Sequence, residues 1–116
     1  MINTVLYARS TANQLEFQNQ IKSLTEFASE KKLNIKGFFS DTDKENKGLK
    51  SAFQLLDTLE DVQLLVISPD RITEDMFEMY EILNKYHVIT PNLTYEQLVN
   101  YNNSLQDTPM IQGNQQ

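Results

Sequence analysis

Apolar residues fall along this chain in two alternating rhythms. Ile2 to Ala8 reads as a buried strand that stops at the polar turn Arg9-Ser10-Thr11. Phe17, Ile21, Leu24 and Ala28 then recur at helical spacing and predict a helix from about Leu15 to Lys32. Its closing lysines, Lys31 and Lys32, suit the negative end of a helix dipole. Asn34 to Phe39, short and mostly apolar, predicts a second strand. Ser40 to Gly48 has no apolar periodicity and predicts a mobile loop. Leu49, Ala52, Phe53, Leu56 and Leu59 mark the inner face of a second helix, from about Leu49 to Leu59. Gln63 to Ile67 is a continuous apolar run, as expected of a central strand.

Ser68-Pro69-Asp70-Arg71 breaks that run. Thr73 is placed to cap a third helix, with Glu74 and Asp75 in its first turn. Met76, Met79, Tyr80 and Leu83 would face inward, and the helix ends near Tyr86. His87 to Thr90 forms a short fourth strand, closed by Pro91. Thr94 with Gln97 makes a capping-box pattern for a last helix, Tyr95 to about Leu105. Residues 106–116 are polar, hold Pro109 and Gly113, and read as a disordered tail. Strand and helix alternate throughout without a repeat. One α/β domain over residues 1–105 is expected, a three-layer doubly wound fold with a mainly parallel sheet.

Composition removes several function classes. The 116 residues suffice for one modest core. The formal charge of -6 argues against independent binding to DNA, RNA or anionic lipid, which needs a basic surface. There is no cysteine, so disulfides and thiolate metal sites are excluded. His87 is the single histidine and reads as a connector between helix and strand, so no metal site is expected. Asp41, Asp43 and Glu45 lack the spacing of a calcium loop and read as a solvated acidic loop. No Gly-x-Gly-x-x-Gly occurs, and no cofactor is expected. No run is long enough to span a membrane and no signal-peptide pattern opens the chain, so a cytoplasmic protein without a membrane partner is expected.

Candidate chemistry lies beyond the strand ends, where open parallel sheets collect ligands. If the first and third strands are central neighbours, Arg9, Ser10 and Thr11 meet Asp70 and Arg71. These are the only two arginines in the chain. The set combines hydroxyls, two guanidinium forks and a carboxylate. Attack of a hydroxyl on a phosphodiester builds charge on the phosphorus oxygens. Arginines can stabilise that charge, and a carboxylate can orient an arginine or move a proton. As residue types alone these positions have a plainer reading: turn hydroxyls and a loop salt bridge or helix cap.

The order of several motifs adds to this. Tyr7-Ala8-Arg9-Ser10-Thr11-Ala12-Asn13-Gln14, followed by Gln18-Asn19-Gln20-Ile21-Lys22-Ser23-Leu24, resembles the opening of the catalytic domain of serine site-specific recombinases, the resolvase/invertase family. Phe39-Ser40-Asp41 resembles the end of that family's second strand. Lys47-Gly48-Leu49 resembles its Arg-x-Gly-Leu start of a helix. Leu65 to Ile72 resembles its V-x-x-L-D-R-L segment. The resemblance covers roughly Met1 to Ile89. It implies DNA strand cleavage and rejoining of the kind found in mobile elements.

The departures fall on the chemistry that the resemblance implies. Arg9 matches the first arginine, but Thr11 falls on the nucleophilic serine and Ser10 on a valine. The extra methyl of threonine restricts its rotamer and crowds attack. A second family arginine falls on Asn46, with Lys47 beside it. A lysine presents no planar fork. Asp70 and Arg71 match, whereas the next arginine falls on Glu74, three residues from Arg71 and within pairing reach. Loss of one such donor costs on the order of 10²–10³ in rate. The last helix is short and bears no lysine or arginine, where the family continues into a long helix and a DNA-binding domain.

The expectation is therefore a stand-alone relative, weakened or inactive in cleavage, that acts through protein binding. Its partner would be a full-length recombinase or its own copy, with DNA contacted weakly or through that partner. One alternative is an active strand-transfer subunit using Thr11 or Ser10. Another is a module that holds an anion or nucleotide between Arg9 and Arg71.

Overall fold

The computed structural model describes residues 2–10 and 13–103. Within them run β1 (Asn3–Ser10), α1 (Gln14–Glu30), β2 (Asn34–Thr42), α2 (Lys47–Thr58), β3 (Val62–Leu65), a 3-10 turn (Pro69–Arg71), α3 (Met76–Lys85) and β4 (His87–Ile89). A final helix, α4, is described over 95–103. The expected tail, 106–116, lies outside the described residues.

The strands form one sheet in the order β2-β1-β3-β4, and every pairing is parallel. The doubly wound α/β fold is thus the observed one, with β1 and β3 as central neighbours. Alternation along β1 sorts its side chains to two faces. Val5 and Tyr7 pack with Leu49, Ala52 and Leu56 of α2, Met79 and Leu83 of α3, and Leu98 of α4. Leu6 and Ala8 pack with Leu24 and Ala28 of α1, joined by Phe17 and Ile21. Among the described helices, one therefore covers one face and three cover the other.

Several boundaries differ from expectation, each for a physical reason. β1 runs two residues further, because Arg9 and Ser10 still pair with Asp41 and Thr42 of β2. α1 ends at Glu30, since Lys32 adopts φ 55 and Leu33 donates its N–H back to Ala28 at 2.9 Å. β2 extends to Thr42, so the first part of the expected mobile loop is sheet. Asp75 caps α3, accepting from the Phe77 and Glu78 amides, while the Thr73 hydroxyl accepts from Asp75 N–H. Tyr80 is 45% exposed and does not face inward. The capping box of α4 is complete: Thr94 N–H donates to Gln97 at 2.9 Å, and Gln97 N–H donates to Thr94 at 3.2 Å.

Candidate functional site

The site begins with how β1 is held at its carboxyl end. β3 stays paired with β1 only as far as Leu65 opposite Leu6. Past that point α1 supplies a substitute. The buried Gln20 side chain accepts from Arg9 N–H at 3.1 Å and donates to Arg9 C=O at 3.0 Å. Its amide takes the place of a neighbouring strand's peptide group.

Across β1, the β2–α2 junction is built on Asp41. This residue is 5% exposed, which corrects its reading as part of a solvated loop. Its carboxylate accepts from the Tyr7 hydroxyl at 2.7 Å, from Gly48 N–H at 2.7 Å and from Leu49 N–H at 2.8 Å. The last two are orphan amides of the first turn of α2, so Asp41 caps that helix from the preceding strand. Close approach requires a glycine. A Cβ at Gly48 would lie 2.2 Å from the Ser40 carbonyl oxygen. Burial pushes the Tyr7 phenol well above its usual pKa, and the bond to Asp41 adds to the shift.

The Arg9 guanidinium reaches over this junction. Its Nε donates to Arg71 C=O at 2.9 Å. Nη1 donates to the carbonyls of Asp43 and Glu45 at 2.7 and 2.6 Å. Nη2 donates to the Asn46 side-chain oxygen at 2.7 Å. A guanidinium has five N–H donors, so internal acceptors engage all but one of them. Asn46, where the family pattern has an arginine, is one of those acceptors. An arginine there would offer Arg9 no acceptor.

Arg71 is brought to the same place, as its carbonyl bond to Arg9 shows. Its Nη2 pairs with Glu16 of α1 at 3.2 Å, not with Glu74 as expected from spacing. Its Nε is buried and has no acceptor among the described residues. Asp70 is exposed and accepts a short hydrogen bond from the Ser68 hydroxyl. Ser10 closes β1 half-buried, and its carbonyl accepts from Asp43 N–H at 3.0 Å. Thr11 lies outside the described residues.

Arg9, Ser10, Asp70 and Arg71 line one open cleft of about 730 Å³. Lys44 and Lys50 add cations to its wall, and Asp43, Glu74 and Glu78 add carboxylates. With Asp70, four basic and four acidic side chains therefore face the cleft and balance. Such a cleft can hold a polar ligand, but it focuses no strong positive field on a phosphate. Among the described residues no group of three or more His, Asp or Glu is placed to hold a metal ion. No described helix is long and apolar enough to cross a membrane.

Three positions that shape the site escaped sequence reasoning as parts of it, Glu16, Gln20 and Asp41, while Asn46 entered only through the resemblance, as the place of a second family arginine. Asp41 left a usable signal. Gly37, Phe39 and Asp41 continue the inward, period-two positions of β2, so the strand pattern runs on under polar letters. Glu16 left none, since its partner is 55 residues away, and the bond of Asn46 to Arg9, across 37 residues, was equally unmarked.

Comparison with known proteins follows the same lines. The family model described as "Resolvase, N terminal domain" matches residues 4–100. No curated protein sequence matched the chain. Among solved structures, the N-terminal catalytic domain of TP901-1 integrase is similar with a TM-score of 0.68 at 16% identity, over 97% of this chain and 99% of that one. The C-terminal catalytic domain of ISC1926 TnpA, an IS607-like serine recombinase, gives 0.64 at 23% identity, over 96% and 84%. A resolvase family site-specific recombinase from Streptococcus pneumoniae gives 0.66 at 16% identity, over 97% and 90%.

Proposed function

The chain belongs to the resolvase N-terminal domain family, and from that premise we propose that it keeps the recombinase scaffold with a weakened or inactive cleavage centre and acts by binding another protein. The reading takes residues 1–105 as one resolvase-type domain. The observation that carries it is the state of Arg9. Four of its donors are closed by Arg71, Asp43, Glu45 and Asn46. A phosphate ligand needs that fork free, and bidentate geometry is what makes arginine effective. Arg71 is drawn toward Glu16 at 3.2 Å, and Glu74 adds a carboxylate to the cleft. Transition-state charge would meet a site already neutralised by its own chain.

The test uses the tagged full chain in its native cell. Cross-linking should recover a full-length serine recombinase, or the chain's own copy, and no covalent protein–DNA adduct. An adduct that disappears in Ser10→Ala or Thr11→Ala would overturn the reading and establish an active strand-transfer subunit. A gain of DNA nicking in the combined variant Thr11→Ser, Asn46→Arg, Glu74→Arg would locate the loss at the centre.

One observation favours a second reading, an anion-binding module. Arg71 Nε is buried beside an open cleft and has no acceptor among the described residues. Titration with inorganic phosphate or a nucleotide would then raise Tm, by an amount equivalent to about 2.7 kcal/mol at a hundredfold excess over Kd. No shift would dismiss it.

A further inference from the structure

A second concavity, between α3 and α4, adjoins the cleft at Asp70, Thr73 and Glu74, and the rest of its lining differs in kind. It has a volume of about 530 Å³. Met76, Met79 and Leu83 of α3 face Leu98 and Tyr101 of α4 across it, with Leu93 at one end. Among the described residues its charged lining is Asp70, Glu74 and Asp75, with neither lysine nor arginine. The amino terminus of α3 opposes these with about half a positive charge, so three carboxylates dominate. Tyr101 stands 56% exposed at the groove.

We propose that this groove docks a short basic amphipathic helix of a partner protein. Two features select that occupant. A groove between two helices accepts the side-chain ridge of a third, read through anchors three and four residues apart. Methionine walls adapt to such anchors, and the carboxylates gathered at the end of the groove where α3 begins call for lysines or arginines at the matching end of the anchor stripe. Glu74 connects this surface with the altered centre. The position where the family pattern has a cation supplies a carboxylate to the rim. The inference rests on the protein-binding reading above and names the partner's chemistry.

The test measures fluorescence anisotropy of a labelled leucine- and lysine-containing amphipathic peptide against the full chain. A peptide of the same pattern with glutamate for lysine is the control. The basic peptide should bind and the acidic one should not, and rising salt should weaken binding as rim charges are screened. Glu74→Lys should weaken it about tenfold, or about 1.4 kcal/mol. Tyr101→Ala should weaken it while leaving Tm unchanged, because the ring is mostly outside the core. Equal binding of the two peptides, or indifference to both variants, overturns the proposal. Concentration-dependent dimers that Tyr101→Ala dissolves and the basic peptide cannot displace also overturn it, and assign the groove to a second copy. Capture of a recombinase through another surface would sink this inference alone. A nucleophile-dependent DNA adduct would sink the earlier reading and leave peptide binding to stand or fall by itself.

Discussion

The two junctions that flank the end of β1 use a carboxylate in contrasting ways. At β2–α2, Asp41 is buried and holds Tyr7, Gly48 and Leu49 with three bonds of 2.7 to 2.8 Å. At β3–α3, Asp70 is exposed and holds the hydroxyl of Ser68, two residues away. Beside it, Arg71 keeps a buried Nε without an acceptor among the described residues. The first junction joins strand, helix and neighbouring strand into one frame. The second leaves polar atoms and an apolar groove open to something else. The difference teaches where the fold is held and where it is left to interact.

The largest effect should come from the frame. Gly48→Ala would place a methyl 2.2 Å from the Ser40 oxygen and 2.8 Å from its carbonyl carbon. Both are backbone atoms, so the clash cannot be relieved by a rotamer. Either α2 moves away from β2, lengthening the Asp41 bonds, or the strand bends. We expect a loss of about 3 kcal/mol. Thermal unfolding should show Tm lower by roughly 10 °C or more for a domain of this size. An unchanged Tm would mean that the junction is as adaptable as its counterpart, and the contrast would fail.

A smaller effect, with its own pH signature, is expected at Tyr7. Tyr7→Phe removes one of the three bonds to Asp41 and should cost about 1 kcal/mol at neutral pH. The sign of the pH dependence follows from the raised pKa. Between the usual value of 10.0 and the folded value, the unfolded chain has lost the phenolic proton and the native protein has kept it. Stability is therefore complete below pH 10.0 and declines above it. Denaturant unfolding at alkaline pH should show this decline in the parent and a shallower one in Tyr7→Phe. The same slope in both would place the phenol outside the frame.

Sequence patterns conveyed the layers better than the junctions. Parallel order, the central pairing of β1 with β3 and the covering faces of α1 and α2 followed from apolar spacing, because burial is a local property of each residue type. Asp41 was misread because a charged residue in a polar stretch looks solvated when its three donors are 34, 7 and 8 positions away. Arg9 and Arg71 were correctly brought near each other by topology. Their use was not legible, since it depends on carbonyls and on Asn46 and Glu16, acceptors that no periodicity marks. Glu74 was expected to pair with Arg71 by helical spacing, but α3 starts only at Met76, and Glu16 of α1 takes that partner instead.

The smallest effect should lie at the open junction. Ser68→Ala removes the hydroxyl that Asp70 accepts, but Asp70 is exposed and water replaces the lost donor. The change in stability should stay within about 0.5 kcal/mol. Denaturant titration of Ser68→Ala beside Gly48→Ala, under one buffer, gives the ratio of the two junctions directly. A loss near 2 kcal/mol at Ser68 would show that the 3-10 turn is held as firmly as the start of α2. The groove it borders would then be part of a rigid frame, with less room to admit a helix from outside.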